Sequence, residues 1–227
     1  MKGGASRGLI LEPGGQQVLP GGGVQGMRRW DALLVAAFPI VLSIGILTIP
    51  LVMDYADHLL SEQAASHVGR WFVGHVLSAV GFGLCGLAAM AIHGFLRRKG
   101  SSTSSLPPLL LSVGAGLHAA GLGADGVGPI ILQAAGERAR LFFDASGMWI
   151  SGLFMAGAVV LAFGMIGQVV LLLRAGILKG PLRTLVPFGA VLFILGEPIP
   201  SGWGLYVIAA GGLMLYIPVA IAIWREA

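Results

Sequence analysis

From Met148 to Leu173 the chain carries no charged residue. An α-helix needs only about 20 apolar residues to cross the hydrocarbon of a bilayer, about 30 Å thick. Further apolar runs of similar character lie at about 32–53, 71–94, 107–125, 182–196 and 203–224. Inside lipid every backbone N–H and C=O must be satisfied within the chain, so such runs become helices. Composition points the same way. Hydrophobic residues make up 56% of the chain and charged residues 11%, with a mean hydropathy of +0.88. A soluble domain carries roughly 25% charged residues, which excludes that class. The expected fold is an all-α membrane protein, a six-transmembrane-helix bundle occupying residues 30–227.

Charge sets the orientation. All the basic residues except Arg70, Arg138 and Arg140 fall on one side of a six-span layout, including Arg28, Arg29, Arg97, Arg98, Lys99, Arg174, Lys179, Arg183 and Arg225. The positive-inside rule makes that side cytoplasmic and places both termini there. Trp30, Trp71, Trp149, Trp203 and Trp224 sit at expected span ends, where an aromatic belt forms. The sequence pI of 9.7 does not mean nucleic acid, because the basic residues are short clusters beside apolar runs rather than a continuous patch. Plain positive-inside charge without a signal peptide suits a bacterial cytoplasmic (plasma) membrane.

Residues 1–29 form a polar tail, expected to be flexible and cytoplasmic, broken by Pro13-Gly14-Gly15 and Pro20-Gly21-Gly22-Gly23. Met27-Arg28-Arg29-Trp30 has the form of a membrane-protein start in its own right. Asp54 to Arg70 reads as a polar outer loop. Ala135 to Ser146 mixes Glu137, Arg138, Arg140 and Asp144 with Leu141-Phe142-Phe143, the composition of a short outer interfacial helix. The single cysteine, Cys85, excludes an intrachain disulfide and a thiolate zinc cage.

The third span is rich in small residues. Ser112, Gly116, Ala120 and Ala124 recur every four residues, so one face is small and suits the closest helix contact in the bundle. His118 and Asp125 share another face, two turns apart, with Gly114 and Gly121. Glu197 ends the fifth span, just before Pro198, where it is the natural third member of a relay with His118 and Asp125. His75 lies one turn into the second span.

These residues support three readings. The first is a non-catalytic subunit or scaffold of a larger membrane assembly, with other membrane subunits or a homo-oligomer as partners alongside the lipid bilayer. Its histidines then simply bond backbone or hydroxyl groups between helices. The second is a small proton or cation transporter, with an outward acidic mouth of Asp54, Asp57, Glu62, Glu137 and Asp144 and a pathway through His118, Asp125 and Glu197. The third is an electron carrier holding one haem b between His75 and His118, with the flanking glycines making room for the macrocycle. No His-x-x-x-His or Glu-x-x-His spacing supports a metal site. No nucleophile elbow, P-loop or dinucleotide fingerprint supports an enzyme.

Overall fold

The computed structural model describes residues 22–226, and its helices run α1 (Gly22–Thr48), α2 (His58–Ala65), α3 (Val68–Arg98), α4 (Leu106–Ala134), α5 (Arg140–Arg174), α6 (Leu182–Gly196) and α7 (Gly202–Arg225). Among the described residues there is no strand. Five helices, α1, α3, α4, α5 and α7, are long and apolar enough to cross a membrane. The sixth apolar helix, α6, has 15 residues. At 1.5 Å per residue it is about 22 Å long, short of the hydrocarbon thickness.

Packing order follows α5–α4–α3–α1–α7–α6, and α6 returns to touch α5 and close the bundle. The centre is filled by one ring from each of six helices. Tyr216 meets Phe38 edge-on at 4.8 Å, and Phe38 meets Phe193 at 6.4 Å. Phe193 meets Phe82 at 6.5 Å, Phe82 stacks on the His118 imidazole at 4.5 Å, and His118 meets Phe154 at 5.7 Å. The series runs unbroken from α7 to α5, with His118 as its only polar member apart from the Tyr216 hydroxyl.

Glycines bring the helices this close. A Cβ built at Gly114 falls 2.7 Å from the Leu161 backbone nitrogen of α5, and one at Gly211 falls 2.5 Å from the Phe193 nitrogen of α6. Small residues allow backbones to approach where lipid offers no hydrophobic drive for association. The face that does this on α4 is not Ser112-Gly116-Ala120-Ala124. Gly116, Ala120 and Ala124 are exposed, and nothing lies within 4 Å of a Cβ at Gly116. The buried face is that of Gly114, His118 and Gly121. The polar side chain decides the orientation, since an imidazole facing lipid is costlier than a row of small residues facing it.

Three boundaries differ from expectation. Helix α1 starts at Gly22, within the segment expected as a tail; the remainder, residues 1–21, lies outside the described residues. Helix α4 continues past Asp125 through Pro129 to Ala134. The Ala135–Ser146 segment is not a separate interfacial helix, because residues 140–146 are the first turns of the unbroken α5. Its apolar side is used by tertiary packing: Phe143 meets Trp71 edge-on at 5.9 Å in a second core with Ile49, Val52, Ala64, Ala65 and Ala139. The short separate helix is instead α2, inside the stretch expected as loop, with Asp57 as its N-cap accepting from the Leu59 N–H at 2.9 Å.

Both ends of the chain's helical part meet at one end of the bundle. Arg98 at the end of α3 pairs with Asp31 near the start of α1, and Lys99 pairs with Glu226 after α7.

Candidate functional site

Proline chemistry builds the half of the site that joins α3 to α4. Pro129 has no N–H, so the Asp125 carbonyl loses its partner in the helix ladder. The Trp71 indole N–H donates to that carbonyl at 2.9 Å. Trp71 is therefore 1% exposed and not part of an aromatic belt, unlike Trp30, Trp149, Trp203 and Trp224, all of which are exposed. The Trp71 carbonyl in turn accepts from His75 Nδ1 at 2.7 Å, and the two rings lie 4.3 Å apart. With Nδ1 committed to a carbonyl, Nε2 of His75 meets Asp125 Oδ2 at 3.2 Å. Asp125 thus couples α3 to α4 through both its backbone and its side chain.

The half that joins α4 to α6 rests on a second proline break. Helix α6 stops at Gly196, and Pro198 has no N–H to return to the Ile194 carbonyl. The chain leaves the helix at Glu197, which points at α4. Its Oε2 lies 2.9 Å from His118 Nε2, and the two side chains are 10% and 3% exposed. His118 Nδ1 donates to the Gly114 carbonyl at 3.0 Å. A carbonyl only accepts, which fixes the proton on Nδ1. Nε2 and Oε2 therefore share one proton, held either as imidazolium with carboxylate or as neutral imidazole with carboxylic acid. Glu197 Oε1 is buried with no hydrogen-bond partner, as is the hydroxyl of Ser78, one turn after His75 on α3.

A third pair lies at the surface, where His58 Nδ1 of α2 meets Asp144 Oδ1 of α5 at 2.6 Å. Beside it Arg138 grips Glu62 through two hydrogen bonds of 2.8 and 3.2 Å. That guanidinium holds the Glu62 carboxyl below the usual carboxylate range. Asp54 accepts from the Ala56 N–H at 2.9 Å, and Asp57 caps α2. The acids expected to form an open outward mouth are thus mostly engaged in caps and ion pairs that hold α2 down. Tyr55, between α1 and α2, has its hydroxyl pushed well above the ordinary range by burial, with Asp125 and Tyr206 acting in the same direction.

The haem arrangement does not fit these residues. Both nitrogens of His75 and both of His118 have protein partners, so neither ring keeps a free Nε2 for an axial bond. Of the glycines flanking His118, Gly114 and Gly121 are packed against Leu161 and Phe154 of α5, Gly116 and Gly123 have nothing within 4 Å of a Cβ, and other glycines pack onto the two histidines themselves. A Cβ at Gly157 falls 2.6 Å from His118 Nδ1, and one at Gly126 falls 2.7 Å from His75 Cβ. Among the described residues no group of three or more His, Cys, Asp or Glu is placed to hold a metal ion.

Of the residues singled out in the sequence, the structure joins His118 directly to Glu197 and Asp125 directly to His75, rather than His118 to Asp125. Trp71 and Phe82 were not legible as site residues. The missing N–H of Pro129 was the one signal that could have pointed to Trp71. Against protein-family models, curated proteins and solved structures, the chain has no match.

Proposed function

We propose that this multi-pass membrane protein moves protons or small cations across the membrane, using the His118–Glu197 pair as its central exchange group. The observation that carries this reading is the pair itself, joined at 2.9 Å with both side chains nine-tenths or more buried. Ionisable residues within a membrane are costly, and they mark ion pathways and proton relays. Asp125 with His75 supplies an outward station between α3 and α4, on the same helix α4 that carries His118. In this reading α6 is the fifth of six spans, both termini are cytoplasmic, and the membrane is the bacterial cytoplasmic one.

Proteoliposomes carrying a pH gradient test this. Proton flux falls at least tenfold in Glu197→Gln or His118→Ala and several-fold in Asp125→Asn. Flux equal to wild type in folded Glu197→Gln, or no flux above empty liposomes in wild type, overturns the reading.

A second reading, a subunit of a larger assembly or homo-oligomer, has its own observation. The small face of Gly116, Ala120 and Ala124 on α4 is exposed, and small faces suit close contact with another helix. Cross-linking of Ala120→Cys in native membranes tests it: a cross-linked species of defined mass supports assembly, and monomer alone counts against it.

A further inference from the structure

We infer that His118 and Glu197 form a site that holds either one proton or one alkali cation, the two excluding each other. The inference rests on the proton- or cation-moving reading above and names the exchange its central pair performs.

The geometry supplies the argument. The contact between Nε2 and Oε2 at 2.9 Å requires the shared proton. Without it, the lone pair of a neutral imidazole faces a carboxylate, and the site carries one uncompensated negative charge. Burying such a charge is strongly unfavourable unless a counter-charge arrives. No fixed cation is on hand. Along the spans α1 has no ionisable residue between Asp31 and its end at Thr48, α5 none between Asp144 and Arg174, and α6 none between Arg183 and Glu197. Helix α4 brings only His118 and Asp125. Helix α3 brings His75, Cys85 and His93 between Arg70 and Arg97, and α7 brings Tyr206 and Tyr216 before Arg225. Tyr55 lies between α1 and α2. His75, the remaining cationic candidate on the outward side, is occupied by Asp125.

What the site does offer is oxygen. Glu197 Oε1 is buried and unpartnered, the free acceptor a cation would use. Glu197 is the C-cap of α6, so it sits at the negative end of that helix's dipole. Pro198 leaves the Ile194 carbonyl without its ladder donor at the same helix end. Interrupted helix ends with freed carbonyls are where membrane proteins hold Na⁺ or H⁺. The exchange balances: as the cation arrives at Oε1 and Oε2, the shared proton leaves to water, and the net charge of the site does not change.

Purified protein in lipid nanodiscs, weakly buffered with a pH dye, is titrated with LiCl, NaCl or KCl, and with choline chloride as control. The expected result is saturable release of up to one proton per chain by at least one alkali cation and none by choline. The cation's apparent affinity weakens about tenfold for each unit of acidification, as competition with one proton requires. Glu197→Gln abolishes release, Glu197→Asp keeps it at weaker affinity, and Glu62→Gln, which alters a surface carboxylate, leaves it unchanged. Melting temperature and elution profile establish which variants are folded; should Glu197→Gln fail to fold, the wild-type competition and the Glu197→Asp shift decide. Release by choline, no release by any alkali cation, or undiminished release from folded Glu197→Gln overturns the inference. Proton flux measured in liposomes with choline as the sole cation separates the two ideas. Flux without exchange defeats this inference alone, and exchange without any flux, with alkali cations present or absent, defeats the transport reading.

Discussion

Trp71 shows how a single donor substitutes for a missing one. Its indole N–H satisfies the Asp125 carbonyl that Pro129 orphans. Trp71→Phe leaves that buried carbonyl unpaired, and a loss of about 1–3 kcal/mol in thermal or denaturant unfolding is expected. Pro129→Ala returns an N–H to the helix ladder, so Trp71→Phe/Pro129→Ala recovers part of that loss. Independent, additive costs of the two substitutions would contradict this account. At the surface, the Glu62 carboxyl is held low by Arg138. A depressed carboxyl pKa contributes stability above the unfolded value, and that contribution is lost as pH falls through the lowered folded value. Acidification below the ordinary carboxylate range therefore loosens α2, seen as lower hydrogen-exchange protection factors of its amides, each measured against the intrinsic rate at that pH. Glu62→Gln exchanges faster already at neutral pH and loses that part of the acid dependence.

Between elements, two glycine positions on neighbouring helices have opposite consequences. Gly157 of α5 lies against the His118 ring, where a Cβ would fall 2.6 Å from Nδ1. The ring cannot retreat, because Phe82, Phe154, Gly114 and Glu197 hold it on its other sides. Gly157→Ala is expected to destabilise the detergent-solubilised protein by about 1–3 kcal/mol, as overpacking does. Gly116 of α4 faces outward with open space around it, so Gly116→Ala is neutral or stabilising by up to about 1 kcal/mol. Reversal of that order in melting temperature would mean that α4 presents its other face to the bundle. Helix α6 is short for a physical reason too: Pro198 denies it another turn, and the chain that follows is tied down where the Gly202 N–H donates to the Val52 carbonyl at 2.7 Å and the Tyr55 N–H to the Pro200 carbonyl at 3.0 Å. Irregular backbone is thereby satisfied by protein, as the membrane demands.

For the whole molecule, sidedness is the property open to direct measurement. On a Cys85→Ala background, which removes the buried thiol, Asp57→Cys labels with a membrane-impermeant maleimide added outside intact cells, and Ser104→Cys labels only after permeabilisation. The reverse pattern would invert the orientation. Labelling of both positions from one side would break the even-span layout, in which Arg98 with Asp31 and Lys99 with Glu226 gather the chain's two helical ends at one face.

The membrane class, the long apolar helices and the candidate residues His75, His118, Asp125 and Glu197 were legible in the sequence, because hydropathy and the placement of prolines and ionisable groups are properties of the chain itself. Which partner each histidine takes was not. His118 and Asp125 share a helix face, yet an imidazole reaches only its own turn and the helix opposite, so the partners came from α3 and α6. The small face of α4 and the belt position of Trp71 misled for the same reason. Periodicity identifies a helix's faces, and only the packed bundle decides which face pays for burial and which is left to lipid.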